Sequence, residues 1–190
     1  MWLRMRIADE KVECHGDHLS LMMALNQDTL NQHTSEVNAN GGILYNGDKL
    51  QVAQDDLQPG VVLYPFPVKD LSETFGRNPI MQNTVLLGGL LWLLDLDFDV
   101  LEGMLRETFR RKGDKVVDAN VGVARAGYQY ATEHYAKRDY RWQLSGKRRM
   151  VVSGNELFGM GALAAGCKFY AAYPMTPASS ILHWLVRYGP

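Results

Sequence analysis

A chain of 190 residues, 46% hydrophobic and 22% charged, has the composition of an ordinary soluble globular protein, with room for one large domain or for one domain and part of another. Its formal net charge of −1 leaves no basic field for nucleic acid and no acidic tail. Two widely separated cysteines, Cys14 and Cys167, give no support to a disulfide framework, fall short of the four thiolates an iron–sulfur cluster usually takes, and fit a reducing, cytoplasmic compartment.

The segment up to about Val12 reads as a strand, partly exposed because of Arg4 and Arg6, and Met1–Arg6 lacks the apolar core of a signal peptide. Leu19–Leu25 is a nearly continuous apolar run of strand length, the pattern of a strand covered on both faces in a parallel sheet. Asn26 caps a polar helix that runs to about Val37; Gly41-Gly42 ends it, and Ile43-Leu44-Tyr45 is the next strand. Asn46-Gly47-Asp48 signals a turn, and Val61–Pro67 reads as a strand that leaves the sheet and is stopped by its prolines. Strands alternating with a helix predict a parallel α/β sheet.

From Asn83 the pattern is helical. Asn83 or Thr84 caps an apolar helix through Leu94, whose Gly88-Gly89 permits close approach of another backbone. Its apolar run, Val85–Leu94, stops at Asp95 after ten residues, where a membrane-spanning helix needs about twenty. Asp97 caps the next helix, with Phe98, Leu101, Met104, Leu105 and Phe109 on one face, Glu102 paired with Arg106 and Glu107 with Arg111 at i,i+4, and Gly113 at its end. A third helix spans about Lys115 to Ala136. The stretch from Lys137 to Arg149 carries six Lys/Arg and one acid without a period, and reads as a solvated linker between domains.

After the linker, Ser153 or Asn155 caps a helix rich in small residues that runs to about Ala165, and Gly166 ends it. Phe169–Ala172 reads as a strand. Tyr173-Pro174-Met175-Thr176-Pro177 follows, its two prolines excluding a continuous helix or central strand. Thr176 suits the N-cap of a helix with Pro177 at its first position, leading into the helix-like run Ile181–Val186. A stiff polar loop between a strand and a helix N-terminus suits a carboxylate or phosphate, although an ordinary strand-to-helix connection has the same signature.

Two separate stretches resemble the 2-oxoacid:ferredoxin oxidoreductases, most of all the 2-oxoglutarate type. Gly154-Asn155-Glu156, Gly161–Cys167 and Phe169–Pro177 are similar to the start of that family's alpha domain. Ala24–Gln27, Gly41–Tyr45, Asn83–Leu94, Arg110–Gly113, Asn120 and Arg125–Tyr128 resemble the second half of its gamma domain. The resemblance implies a three-layer α/β/α gamma-type domain over residues 1–137, a linker over 138–149, and over 150–190 the beginning of a thiamine-diphosphate-binding, pyrimidine-side α/β domain. The family's reaction is oxidative decarboxylation of a 2-oxoacid to acyl-coenzyme A, with electrons passed to ferredoxin. Thr176 is then expected to donate a hydrogen bond to the substrate carboxylate or its thiamine adduct, with Tyr173, Pro174 and Pro177 shaping the loop. Thiamine diphosphate with its magnesium is shared with a beta subunit that also carries the iron–sulfur cluster; this chain alone is expected to bind none of them.

Two departures bear on that reading. The family's glycine-rich opening, of the type Gly-x-Gly-Gly-Gln-Gly, does not occur here, and the chain stops before the family's thiamine-activating carboxylate. The sequence therefore reads as a fragment, inactive alone. A non-catalytic gamma-like assembly or docking module is the alternative. A generic nucleotide-binding domain lacks its Gly-x-Gly-x-x-Gly or Walker loop here. His15 and His18 read as exposed loop residues rather than metal ligands, Cys167 as a small packing residue, Asn155 as a cap, and Glu156 as a first-turn carboxylate matched to the helix dipole.

Overall fold

Three short apolar segments, β1 (Leu19–Ala24), β2 (Val37–Asn46) and β3 (Val62–Phe66), pair in parallel in the order β1-β2-β3. They are seen in a computed structural model that describes residues 2–8, 10–73, 75, 81–140, 146 and 150–189. The described chain falls into two compact units, Met1–Gln143 and Leu144–Pro190.

In the first unit, the alternation of side chains along each strand sorts residues to two faces. Met22, Ala24, Ile43 and Tyr45 are buried with Leu30 of α1 (Gln27–His33), and Leu50, Val52 and Leu57 of the connection to β3 pack against them. On the opposite face, Leu44, Tyr64 and Phe66 meet Val85, Leu86 and Leu93 of α3 (Gln82–Leu93) and Val123 and Ala131 of α5 (Asp114–His134). The predicted three-layer α/β/α arrangement follows, with its α1 side completed by the irregular 47–61 connection. A short helix, α2 (Val68–Glu73), follows β3. Between α3 and α5, α4 (Phe98–Phe109) adds a satellite core of Phe98, Leu101 and Leu105 against Val117 and Val121.

The α3–α5 contact is made at backbone distance. A Cβ on Gly88 would lie 1.8 Å from the Ala124 carbonyl oxygen, and one on Gly127 2.0 Å from that of Val85. The close approach predicted for Gly88-Gly89 is therefore reciprocal, and Gly89 itself faces the Phe66 ring. Asn26 caps α1 by accepting from the Thr29 amide at 2.9 Å, and Asp97 caps α4 by accepting from Asp99 at 3.0 Å. Glu102 bonds Arg106 as expected and also Arg125 on α5, and these partners, Arg106 first, hold its carboxyl below the ordinary range.

Several sequence expectations are corrected. Residues 2–8 form no strand; Arg4 pairs with Glu36 and the Trp2 ring meets His33 edge-on at 5.3 Å. The helix after Asn26 gives way at Thr34–Glu36 to a 3-10 turn, and Val37 already belongs to β2. Gly41 and Gly42 end no helix; they lie inside β2, where a Cβ on Gly42 would press within 2.8 Å of the Tyr64 ring. β3 stays in the sheet, with Pro65 opposite Tyr45, which an edge strand tolerates because its outer side needs no donor. α3 begins at Gln82, ahead of both expected caps. Met104 of α4 is exposed, whereas Phe98, Leu101 and Leu105 are buried.

The start of the expected linker is only partly solvated, with Arg138 and Tyr140 half-buried and Lys137 and Asp139 exposed. The Arg138 guanidinium donates to the carbonyls of Asn40 and Gly41 and to the Tyr64 hydroxyl, its own amide bonds Leu93 O at 3.0 Å, and the Tyr140 hydroxyl reaches Ser20 O at 3.4 Å. Of the rest of that stretch, residues 141–145 and 147–149 lie outside the described residues. Among the described residues no helix is long and apolar enough to cross a membrane.

Candidate active-site loop

The second unit is built on α6 (Gly154–Ala164) and α7 (Ser179–Tyr188). Ser153 and Glu156 close a capping box: the Ser153 hydroxyl accepts from the Glu156 amide at 3.3 Å, and the Glu156 carboxylate from the Ser153 amide at 2.7 Å. These bonds hold the Glu156 carboxyl below its usual range. Asn155, expected as a cap, is thereby released from capping. The C-terminus of α6 is closed by Gly166 at φ +84°, with Gly166 N bonded to Leu163 O and Cys167 N to Ala162 O, the Schellman pattern. The half-buried Cys167 donates its thiol hydrogen to Phe169 O.

Phe169–Ala172 has strand-like composition, yet it pairs with no strand among the described residues. The loop after it is organised by Met175, whose carbonyl accepts from the amides of Ala178 at 2.9 Å and Ser179 at 3.1 Å. Thr176 and Pro177 occupy the centre of that turn, joined by a cis peptide bond. Two expectations are thereby corrected: Ala178, not Thr176, is the N-cap of α7, and Pro177 stands outside the helix, whose first residue is Ser179. Instead of being spent on a cap, the Thr176 hydroxyl is exposed and makes no hydrogen bond within the described chain. Tyr173, Pro174 and Pro177 surround it in sequence, all exposed, Tyr173 at 82%.

Sequence reasoning missed the residue that ties this loop down. Asn155 Nδ2 donates to Pro177 O at 2.8 Å and to Ser180 Oγ at 2.6 Å. The Ser-x-x-Glu spacing of Ser153 and Glu156 was the available signal, because it assigns the cap to Ser153 and leaves Asn155 free to bond elsewhere.

Pyruvate ferredoxin/flavodoxin oxidoreductase is the family whose model matches residues 1–130. The chain belongs to that family. It is 24% identical to the 2-oxoglutarate oxidoreductase subunit KorA of Mycobacterium tuberculosis, over 97% of this chain and 33% of that protein. It is also 52% identical, over 40 residues, to the ketoisovalerate oxidoreductase subunit VorB of Methanothermobacter thermautotrophicus, covering 21% of this chain and 11% of that one. The chain thus spans a third or less of the length of these curated relatives. A solved structure of 2-oxoglutarate:ferredoxin oxidoreductase from Magnetococcus marinus, with 2-oxoglutarate, coenzyme A and succinyl-CoA bound, shares the fold. Its TM-score is 0.78 at 24% identity, covering 95% of this chain and 32% of that one. The family resemblance read from the sequence is borne out, and the relatives are subunits of oxidoreductases.

The family implies thiamine diphosphate with magnesium. Among the described residues no three His, Cys, Asp or Glu side chains group to hold a metal ion. No Asp or Glu follows Glu156 in the sequence, and Glu156 is held in the capping box. Among the described residues, this donor set does not fit a metal-bound diphosphate.

Proposed function

We propose that this chain is part of the alpha subunit of a 2-oxoacid:ferredoxin oxidoreductase, with 2-oxoglutarate as its substrate, and that Thr176 binds the substrate. In this reading residues 1–137 are the gamma-type domain and 150–190 begin the pyrimidine-side domain. A partner beta subunit holds thiamine diphosphate, magnesium and the iron–sulfur cluster, and coenzyme A and ferredoxin are the further reactants. The chain alone has no activity.

The observation that supports this reading is the state of Thr176. Its hydroxyl is exposed and makes no hydrogen bond among the described residues, on a turn whose backbone is closed by two hydrogen bonds to Met175 O. A hydroxyl held on such a turn donates one hydrogen bond to a carboxylate oxygen, and little conformational freedom remains to be lost on binding. A 2-oxoacid presents that carboxylate next to the carbon whose bond breaks, so the contact orients the substrate.

A hydrogen bond to a charged group contributes about 1.5–3 kcal/mol, or about 10- to 100-fold in kcat/KM. In the oxidoreductase that contains this chain, Thr176→Ala is expected to lose that much 2-oxoglutarate-dependent ferredoxin reduction, and Thr176→Ser to keep most of it. Wild-type kinetics for Thr176→Ala would sink the catalytic reading and favour the docking module.

A further inference from the structure

The tie between α6 and the loop before α7 is one end of a regular seam. On α6, Asn155 and Gly159 stand four residues apart and so share a face; on α7, Ser180 and Trp184 do the same. They meet in register. Asn155 Nδ2 bonds Ser180 Oγ at 2.6 Å, and one turn along, a Cβ on Gly159 would lie 2.6 Å from the Trp184 ring. Gly159 is the buried residue of α6, which places the large indole directly against that helix. The seam therefore fixes how the two helices meet, and Asn155 sits at the end where the loop enters.

Both amide hydrogens of Asn155 are used there. One goes to Ser180 Oγ and the other to Pro177 O at 2.8 Å, the carbonyl directly after Thr176. Ser180 Oγ also donates to Pro177 O, at 3.4 Å, so three groups converge on the far side of the turn from Met175. Met175 O closes the turn through α7's own amides, whereas Asn155 bonds it to a different helix.

We propose that Asn155 is the positioning residue of the Tyr173–Pro177 loop, holding Pro177 and thereby Thr176 at a fixed place against α6. Its catalytic consequence rests on the Thr176 reading above. The donors matter, not the shape: aspartate has the same outline but would turn a lone pair toward Pro177 O in place of an N–H.

The test is a double-mutant cycle in the oxidoreductase that contains this chain, with kcat and KM for 2-oxoglutarate measured for Asn155→Ala, Asn155→Asp, Thr176→Ala and the Asn155→Ala/Thr176→Ala pair. Both Asn155 variants are expected to lose about tenfold in kcat/KM, aspartate no less than alanine. On the Thr176→Ala background, Asn155→Ala is expected to cost less than about twofold, because its effect passes through a hydroxyl already gone. Ser180→Ala, which leaves α6 untouched, is expected to give a smaller loss of the same kind. Where Thr176→Ala loses activity, full activity of Asn155→Asp, or losses that simply add, would overturn the proposal. Amide hydrogen exchange separates it from the function it rests on. In Asn155→Ala the amides of Ala178 and Ser179 are expected to exchange about tenfold faster, with Leu157, bonded to Ser153 O, unchanged. Unchanged exchange at Ala178 and Ser179 overturns the positioning role. Faster exchange alongside a fully active Thr176→Ala upholds it and overturns the role of Thr176.

Discussion

Ser153 and Glu156 show how a single pair of side chains sets the start of an element. Each satisfies the other's backbone donor, and the Ser153 amide, aimed at the Glu156 carboxylate, favours its charged form. The folded value lies below the unfolded one, so the contribution is complete above the ordinary carboxylate value of 4.5 and is lost as pH falls through the depressed folded value. The Ser153 amide resonance is therefore expected to shift with a midpoint below about 4.5, and Glu156→Gln is expected to abolish that shift. NMR titration of the backbone amides checks both. Ser153→Ala is expected to cost about 1 kcal/mol of helix stability. A midpoint at or above the ordinary value would mean the box is open in solution. The same pair shows what the sequence could convey at this scale. The cap was legible because its pattern is local, four residues long. The Asn155 bonds to Pro177 and Ser180 were not, since they join positions 22 and 25 residues apart and no short-range pattern announces them. Thr176 was singled out by family resemblance, while its local role was misread: the cap expected there falls at Ala178.

Elements that bury one face or all faces declared themselves. α4 was found because its apolar residues recur at the period of a helix, and β1 and α3 because a long apolar run without charge reads as buried. Where backbone proximity rather than periodicity decides, the sequence was ambiguous. Gly41-Gly42 looks like a stop signal, but in β2 the missing side chain of Gly42 makes room for Tyr64 and Arg138, and that of Gly41 for Val37 and the Asn38 carbonyl. Phe169–Ala172 has the composition of a strand, yet a strand is defined by its partner, and composition does not specify one. The glycines of α3 and α4 make this physical distinction testable. Alanine at Gly88 gains about 1 kcal/mol in helix propensity but must displace a backbone carbonyl 1.8 Å from its Cβ, and overpacking of that kind costs typically about 1–3 kcal/mol, occasionally more. With rigid backbone on the other side, the upper end applies and the net effect is destabilising. A Cβ on Gly103 of α4 would meet nothing within 4 Å among the described residues, so alanine there keeps the propensity gain. Urea denaturation is expected to show a lower midpoint for Gly88→Ala and a higher one for Gly103→Ala. Equal midpoints would mean that α3 and α5 separate at no cost.

At the scale of the whole chain, the distribution of buried side chains between the two units sets what each can do by itself. Every buried apolar residue among those described, from Met22 to Ala131, belongs to the first unit. That unit also binds its own tail, through Arg138 and Tyr140, onto β1, β2 and β3. In the second unit the large apolar side chains Val151, Phe158, Phe169 and Val186 are 63–97% exposed, and α7 has no buried residue. Burial at about 25 cal/mol per Å² is the main term that offsets the conformational entropy of ordering a chain, so the first unit has the means to fold alone and the second does not. Residues 1–143 alone are expected to melt in one cooperative calorimetric transition. Residues 144–190 alone are expected to show helical content at most, with no heat-absorption peak, because the capping box, the Gly159–Trp184 contact and the Asn155 bonds fix local geometry without enclosing a core. A sharp transition in 144–190 would show that the seam between α6 and α7 suffices for cooperative folding. Its absence would mean that the Thr176 loop acquires its working rigidity only where further protein covers those exposed side chains. The substrate-binding role proposed for this loop would then depend on assembly.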